Sequence, residues 1–551
     1  MLRTVLGSAR RAPCASMPTR RWFAVSAATF RPSLDTVAPT TTTNPPPPPS
    51  AATPKKAGKG EGTIASVFAT LSGGTLEDAL PDRFATLKQS LVESPAHAEH
   101  LERTWRSVLA ALSARVEETT RLGGRCIPEV EFPAGAEGAE GGGEVGGVHE
   151  WTDAATFEAI KDRGVAVIRN VIPQQQVLAW KDDIRAYARH NNAKGFPEDN
   201  PQVYELYWTR AQLAARSHPN LLTTSQRFLQ LFHRPAPSAS HTSEEEADVE
   251  RACSLAHPLA YVDRLRIRQP GDAQFALGPH IDGGGVERWE CDQFRALWHH
   301  ILADGAQWEA HDPWSLGAHG ERMTARTDMY DGPGQCGVFR PLQGWLSMSS
   351  TRVGEGTLKV LPFLRESTAY IVLRPLFRAL KPPASCASQA EYLAPDNWTL
   401  DPTSRSFPGC SLGHNIELSA TTHPHLHLDQ TMVSIPRVEP GDMVLWHCDA
   451  VHSVEARHAG QADSSVLYIP AIPTTKVNWQ YVMLQRKCFE RGVPPPDFPG
   501  GTGESTFQGR ATPDMVQGTQ ARLSLGLERF PLARGEPQAE TRLLEWCNAQ
   551  L

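Results

Sequence analysis

The residues best suited to bind a metal ion are a histidine and an aspartate two positions apart. His280 and Asp282 lie within the segment Leu-Gly-Pro-His-Ile-Asp-Gly-Gly-Gly, which runs from Leu277 to Gly285. On a β-strand, residues two positions apart project from the same face, so both side chains can reach one ion. An imidazole and a carboxylate on one side of an octahedral metal are typical of non-haem iron(II) enzymes, which need one more histidine.

His452 is the best candidate for that third ligand. It follows a Pro-Gly-Asp turn, an apolar strand and a short bend. His447 would leave the strand directly, and we interpret it as a structural histidine. The 172 positions between His280 and His452 leave room for the four intervening strands that a double-stranded β-helix requires. The predicted metal ligands, which are also the predicted catalytic residues, are therefore His280, Asp282 and His452.

A second His-x-Asp pair, His427 and Asp429, competes with the first. Alternation along a predicted strand from His423 to Asp429 puts three histidines and the aspartate on one face. Only 25 positions separate His427 from His452, too few for four strands and their turns. We interpret this histidine-rich strand as pocket lining or structural polar packing, and less readily as a second metal site.

Two patterns of apolar residues distinguish a helical region from a β-rich region. Between about residues 63 and 122, side chains such as Leu101, Trp105 and Leu112 recur at helical spacing. From Tyr261 onward, short apolar runs separated by Gly and Pro turns predict many short strands. The predicted fold class is α+β: a double-stranded β-helix (a jelly-roll, cupin-like barrel) with flanking helices and an N-terminal helical layer.

Residues 150–190 predict a helix, a strand and a second helix. Thr152 or Asp153 can cap the first helix, and Gly164 can end it. The run Val-Ala-Val-Ile that follows is an apolar strand, and Pro173 opens the second helix.

Composition divides the chain into four parts. Residues 1–60 are a predicted transit peptide and proline-rich linker, since the first 34 residues carry six arginines, no lysine and no acid. Residues 61–147 are a helical region ending in a Gly-rich loop, residues 148–500 the β-helix domain, and residues 501–551 a helical tail. The leader predicts the mitochondrial matrix, with the cytoplasm as the alternative.

Charge and hydrophobicity exclude some classes of function. The formal charge is −7, and Lys and Arg are scattered, which disfavours nucleic-acid binding. No apolar run approaches the roughly 20 residues of a membrane-spanning helix, so we expect no integral membrane segment. Neither a G-x-S-x-G nucleophile elbow nor a phosphate-binding P-loop is present. The ten cysteines contain no C-x-x-C spacing. Oligomeric state is not predicted.

Several segments, in this order, resemble the phytanoyl-CoA hydroxylase-like branch of the iron(II)/2-oxoglutarate oxygenases. The sequence is most similar there to the family called domain of unknown function 1479. The segments that carry the resemblance are Gly164 to Pro173, Arg264 to Asp272 leading into His280, Gly344 to Met348, Gly354 to Pro362, and the segment containing His452.

The resemblance implies iron(II), 2-oxoglutarate as cosubstrate, and dioxygen. Its activity would be oxidative decarboxylation of 2-oxoglutarate to succinate, coupled to hydroxylation of a small organic molecule. In much of this superfamily an Arg or Lys about a dozen residues after the distal histidine binds the far carboxylate of the cosubstrate. Here Asp463, Ser464 and Ser465 stand at those positions.

Other cations must therefore take that role. The predicted cofactor-binding residues are Arg266 and Arg268, which alternate on the strand entering the metal motif, and Arg457, which follows His452. Lys359 is a weaker candidate.

Two alternatives stay open on the sequence alone. The chain could be a catalytically inactive β-helix protein that binds or scaffolds others, with the three residues satisfied in the core. It could also be a cupin-type metal-dependent lyase or isomerase. An enclosed cavity beside His280 would favour an enzyme over a scaffold. Aromatic candidates for lining such a cavity are Trp289, Trp298 and Trp345.

Overall fold

A computed structural model describes residues 64–70, 80–133, 135, 146–235, 249–274, 276–498, 501–532 and 538–551. These residues belong to a unit that extends from Ala57 to Leu551. The predicted transit peptide, the proline-rich linker and most of the Gly-rich loop lie outside the described residues.

The described residues form sixteen α-helices. They are α1 (Arg83–Ser90), α2 (Pro95–Leu122), α3 (Ala154–Arg163), α4 (Gln174–His190), α5 (Arg210–Arg216), α6 (Pro219–Leu229), α7 (Glu287–Glu290), α8 (Asp292–Leu297), α9 (His299–Leu302), α10 (Glu321–Thr324), α11 (Leu364–Leu373), α12 (Gln389–Leu393), α13 (Leu428–Thr431), α14 (Lys476–Arg491), α15 (Thr519–Ser524) and α16 (Gln538–Asn548). None of the helices in the described ranges combines the length and apolarity needed to cross a bilayer.

Seventeen strands accompany these helices in the described residues. They are β1 (Glu129–Glu131), β2 (Val165–Arg169), β3 (Gly195–Phe196), β4 (Val203–Tyr204), β5 (Cys253–Leu259), β6 (Leu265–Arg268), β7 (His280–Ile281), β8 (Leu342–Ser347), β9 (Leu358–Val360), β10 (Phe377–Ala379), β11 (Trp398–Leu400), β12 (Ile416–Glu417), β13 (Val433–Ser434), β14 (Met443–His447), β15 (His452–Val454), β16 (Ser464–Tyr468) and β17 (Ile472–Thr475).

Two sheets contain the strands that matter for function. An eight-stranded sheet has the order β1-β2-β14-β8-β16-β6-β4-β3, and a five-stranded sheet has the order β12-β7-β15-β9-β13. All strand pairs within them are antiparallel except β1 with β2. Two further sheets have two strands each. The mixed α+β class is confirmed, but the described strands form separate sheets and do not close into one barrel.

The helix-strand-helix prediction for residues 150–190 is confirmed as α3, β2 and α4. The Asp153 side chain accepts a hydrogen bond from the Thr156 amide at 2.7 Å and caps α3. Gly164 ends α3 with φ of 67°, a left-handed conformation that glycine adopts without steric cost. Strand β2 then pairs with β14, which leads toward His452.

The predicted N-terminal helical layer corresponds to α1 and α2. Trp105 of α2 is buried and stacks on Phe377 with ring centroids 4.4 Å apart. These helices share an apolar core with α11 and with Ile281 and Ile416 of the five-stranded sheet. The layer therefore supports the strand that carries His280.

The strand predicted from His423 to Asp429 is wrong. Pro424–Leu426 is a 3-10 helix, and α13 follows directly. His427 adopts a left-handed conformation with φ of 47° between them. His425 is buried against the Tyr370 hydroxyl, at 3.1 Å from its Nδ1. The polar-packing interpretation of this segment agrees with that contact, but alternation along a strand does not exist there.

Candidate metal centre and its cavity

His280 and His452 face each other from neighbouring strands. They are directly paired in the register of β7 and β15, and their ring centroids lie 4.2 Å apart. Each Nδ1 lies near the carbonyl oxygen two residues earlier, at 2.7 Å for His280 and 3.1 Å for His452. Because a carbonyl only accepts hydrogen bonds, Nδ1 is the donor in each ring, and the neutral form of each ring therefore has its lone pair on Nε2.

Asp282 completes the group from the residue after β7. Its two carboxylate oxygens lie 3.6 Å from Nε2 of His280 and 3.9 Å from Nε2 of His452. The candidate ligand atoms all lie within 4.8 Å of one another. The structure thus brings together the three residues predicted as metal ligands.

Neighbouring side chains fix the orientation of the Asp282 carboxylate. Asn415 donates to one oxygen at 2.9 Å, and Arg340 donates to the other at 3.2 Å. The Gly284 amide donates to the Asn415 side chain at 3.3 Å, and the turn there needs glycine because a Cβ on Gly284 would lie 2.6 Å from the carbonyl of Thr327. Sequence reasoning missed Asn415 and Arg340.

The surroundings of His452 and Asp282 favour the protonation states that metal binding requires. Burial and the neighbouring His280 lower the pKa of His452 to about 3, so its ring is neutral at physiological pH. Burial alone would raise the pKa of Asp282, but His280, His452 and Arg340 outweigh it and lower that pKa below its usual value. Two neutral imidazoles and one carboxylate are the ligand forms that bind divalent metals.

The three residues line one side of a cavity of about 140 Å³ between the two main sheets. Strands β7 and β15 supply one wall, and β8, β14, β16 and β6 supply the other. Trp345 and Trp446 are apolar members of the second wall. Trp289 and Trp298, the other aromatic candidates, belong instead to the helical core.

Val67, the last residue of a 3-10 helix at Ile64–Val67, and Phe68 also line the cavity. The Phe68 ring meets the His280 ring edge-on, with centroids 4.7 Å apart. The backbone N–H of Asn415 donates to the Val67 carbonyl at 3.0 Å, and the backbone N–H of Thr70 donates to the Glu417 carboxylate at 3.1 Å. This N-terminal segment therefore touches a candidate metal ligand and the residue that orients another. No sequence signal identified it.

The predicted cosubstrate-binding cations end up in different places. Arg266 lines the cavity and is only 4% exposed; it donates to the Gly356 carbonyl at 3.2 Å, while its Nε has no partner. Arg268 forms an ion pair with Asp272 at 2.8 Å and does not line the cavity. Arg457 is exposed, and Lys359 of β9 also lies outside the lining. Arg264 and Arg340 line the cavity as well.

Comparison with known proteins places the chain in a family. The family model described as Gig2-like matches residues 78–527. The chain belongs to the Gig2-like family. Among solved structures, this Gig2-like chain is similar to GlcNAc Inducible Gene 2, GIG2 (DUF1479), from Candida albicans. That similarity has a TM-score of 0.72 and 29% identity over 86% of this chain and 95% of the other. The resemblance to domain of unknown function 1479 is thereby confirmed.

Two bacterial proteins extend the comparison. The "Putative Oxidoreductase" from Salmonella typhimurium LT2 has a TM-score of 0.63 and 27% identity, over 82% of this chain and 99% of the other. "Uncharacterized protein YbiU" from Escherichia coli (strain K12) is 31% identical over 368 residues, which is 64% of this chain and 77% of that protein. The Gig2-like fold is therefore found in bacteria as well as in a fungus.

The Gig2-like chain has a second cluster of potential ligands, His447, Cys448 and Asp449. In this cluster, both ring nitrogens of His447 already form hydrogen bonds, and the Asp449 carboxylate already forms ion pairs. The Nε2 of His447 donates to the Pro313 carbonyl at 3.0 Å, and its Nδ1 accepts from the Asp449 amide at 3.0 Å. The Asp449 carboxylate lies 2.8 Å from Arg288 and 3.0 Å from Arg322. This cluster is a buried polar network, as the structural interpretation of His447 predicted.

Proposed function

We propose that this protein is an iron(II)- and 2-oxoglutarate-dependent oxygenase that hydroxylates a small organic molecule. One observation carries the proposal. Two histidine Nε2 atoms and one carboxylate converge on a buried cavity whose opposite wall holds Arg266, a guanidinium without a carboxylate partner. As part of the same proposal, we interpret the two facing sheets as the two halves of a double-stranded β-helix.

The donor set fits ferrous iron. Two imidazoles and a carboxylate are the ligand set typical of non-haem iron(II) oxygenases. His280, Asp282 and His452 would hold the ion, and Asn415 and Arg340 would keep the carboxylate oriented toward it. With iron bound, 2-oxoglutarate, dioxygen and a substrate C–H group would give succinate, carbon dioxide and the corresponding alcohol.

Arg266 is the residue that we assign to the far carboxylate of 2-oxoglutarate. The superfamily position for this cation falls on residues 463–465, at the start of β16. Asp463 there is paired with Lys181 at 2.7 Å and Arg185 at 2.6 Å. Arg266 stands on β6, the strand beside β16, directly opposite Val466. Arg266 therefore stands one strand away from the superfamily position of this cation, and it still lines the cavity.

Burial explains why Arg266 would favour an anionic ligand. Burial lowers the pKa of its guanidinium, and the acceptor of its hydrogen bond, the Gly356 carbonyl, is neutral. A carboxylate would supply the missing opposite charge through charge-assisted hydrogen bonds. Of the other predicted cations, Arg268 already has Asp272, and Arg457 faces solvent.

The walls of the cavity would exclude bulk water from the reacting atoms. Phe68 covers His280, and Trp345, Trp446 and Leu358 supply apolar surface near the three ligands. Exclusion of water protects a strong oxidant from unproductive reactions and keeps it for the substrate.

The test is turnover of 2-oxoglutarate by the full chain loaded anaerobically with iron(II). After dioxygen is admitted, succinate formation and oxygen uptake are measured for the wild type, His280→Ala, Asp282→Ala and the control His299→Ala, which alters an exposed histidine. We expect succinate from the wild type and the control only. We also expect Arg266→Gln to need at least about ten times more 2-oxoglutarate, because a charge-assisted pair is lost.

Other outcomes separate the alternatives. Binding of iron without succinate formation would overturn the 2-oxoglutarate assignment and favour a lyase or isomerase. Failure to bind any divalent metal, with folding intact by circular dichroism, would leave a scaffold or binding protein.

A further inference from the structure

The cavity holds more positive charge than the cosubstrate needs. Its lining contains three arginines, Arg264, Arg266 and Arg340, and two carboxylates, Asp263 and Asp282. The two histidines are neutral in their metal-binding form. The lining itself therefore carries one net positive charge.

Loading the site does not remove that charge. A ferrous ion adds two positive charges, and the 2-oxoglutarate dianion adds two negative charges, so their sum is zero. A buried uncompensated charge is unfavourable, because burial takes it out of water. Among the residues that line the loaded cavity, one positive charge is left over for an anionic group.

We propose that the substrate is a small carboxylate with one negative charge, and that Arg264 is the residue that binds it. This inference rests on the proposed function, because it specifies the substrate class of the same cavity. The cavity, about 140 Å³ and shared with the cosubstrate, fits a small molecule of this kind.

Arg264 is placed for this role beside the proposed cosubstrate site. It precedes β6 by one residue, so it projects from the same face as Arg266, about one residue pair further along the strand. Its carbonyl accepts from the Tyr468 amide at 3.3 Å, which puts it next to Tyr468 as Arg266 is next to Val466. Both the Arg264 and Tyr468 side chains line the cavity.

The guanidinium of Arg264 is held in place and still has free donors. Its Nε lies 3.3 Å from an Asp263 oxygen, and its central carbon lies 4.8 Å from the centre of the Phe498 ring. Neither terminal nitrogen of Arg264 has a hydrogen-bond partner among the described residues. A guanidinium held at Nε presents those two donors together to a carboxylate.

The other two arginines of the lining already have a role. Arg340 donates to Asp282 at 3.2 Å and so positions a metal ligand. Arg266 is assigned to the far carboxylate of 2-oxoglutarate. Arg264 is the cation of the lining that remains for the substrate.

The experiment compares acids with their uncharged amides. Propionate, butyrate, benzoate and phenylacetate, each with the corresponding primary amide, are titrated calorimetrically into the iron(II)-loaded full chain under nitrogen, with and without 2-oxoglutarate. The proteins are wild type, Arg264→Gln, Arg264→Lys and Arg210→Gln, which alters an exposed arginine on α5. Binding of 2-oxoglutarate is measured in the same samples.

We expect at least one acid to bind the loaded wild type at least about ten times more tightly than its amide, a difference of about 1.4 kcal/mol, because only the acid forms charge-assisted hydrogen bonds with the guanidinium. The ratio should fall to about one in Arg264→Gln, recover in part in Arg264→Lys, and stay unchanged in Arg210→Gln. Affinity for 2-oxoglutarate should stay within about threefold in Arg264→Gln.

Three results would overturn the inference: no acid binds, amides bind as tightly as acids, or Arg264→Gln keeps the preference for acids. Each is distinct from failure of the proposed function, which would appear as absence of 2-oxoglutarate binding in the wild type. In that case, an acid preference that depends on Arg264 in the absence of 2-oxoglutarate would still assign this residue as an anion site.

Discussion

Two groups of histidine and aspartate lie at opposite ends of the short segment from His447 to His452, and they differ in how their lone pairs are used. At His280, Asp282 and His452, each ring bonds a carbonyl through Nδ1 and turns Nε2 toward an open cavity. At His447, Cys448 and Asp449, both ring nitrogens are bonded and the carboxylate faces two arginines. Residue types and distances alone suggest two metal sites, whereas the hydrogen bonds favour the first.

The largest expected difference between the two groups is in metal affinity. His452→Ala removes one of the three proposed ligands and should weaken iron(II) binding by more than the roughly 10–100-fold that loss of a supporting residue costs. His447→Gln should leave that affinity within about threefold. Anaerobic titration of both variants measures this directly. Equal loss of affinity in the two would contradict the assignment of His447 to structure.

The free energy of unfolding should show the reverse order: a change in the group around His447 should lower it more than a change in the proposed metal centre. Asp449→Asn leaves Arg288 and Arg322, both buried, without their common carboxylate, and should lower the free energy of unfolding by about 3–5 kcal/mol. Asp282→Asn should cost less, about 1–3 kcal/mol, because its carboxylate pairs with one arginine, Arg340, and not with two. Denaturant unfolding of the metal-free proteins provides the comparison. A larger loss for Asp282→Asn would mean that its carboxylate is mainly structural.

Orientation of the carboxylate gives a smaller effect within the proposed metal centre. Asn415→Ala removes the donor at 2.9 Å from Asp282 and should weaken iron(II) binding by about 10–100-fold. Thr431→Ala, which alters a buried hydrogen bond on α13 away from the cavity, serves as the control. Affinity unchanged in Asn415→Ala would show that Arg340 alone is enough to orient the carboxylate.

The smallest effect concerns the cover of the cavity. Phe68→Ala should open the side of His280 to water and raise oxygen uptake that is not matched by succinate, by a few-fold. Phe68→Leu keeps most of the apolar cover and should stay close to the wild type. The ratio of oxygen consumed to succinate formed is the measurement. An unchanged ratio in Phe68→Ala would show that this ring does not protect the site.

Local sequence signals predicted the elements that set up the site. Asp153, Gly164 and the apolar run after it gave α3 and β2, because caps and hydrophobic runs act over a few residues. Spacing also brought His280 and His452 together as candidates, and the structure places them on adjacent strands. The histidine-rich strand failed because Pro424 and the left-handed His427 break an alternation that looks regular in the sequence.

What the sequence could not provide was contact between distant segments. Asn415 lies 133 positions from Asp282, and Arg340 lies 58 positions from it, with no motif that links them. Closure of the predicted barrel likewise depends on how separate strands meet, and the described strands remain in separate sheets. Arg268 gives another example. Its alternation with Arg266 suggested that both arginines face the cavity, but the sequence did not show that Arg268 forms an ion pair with Asp272.

The contact between Phe68 and His280 also affects how the protein should be produced. A shortened protein that begins near α1, at Arg83, would keep every proposed metal ligand and the helical core. It would nevertheless lack the Phe68 ring and the Val67 carbonyl that meets the Asn415 amide. Low activity in such a shortened protein would reflect a missing piece of the site, and expression designs should start upstream of Ile64.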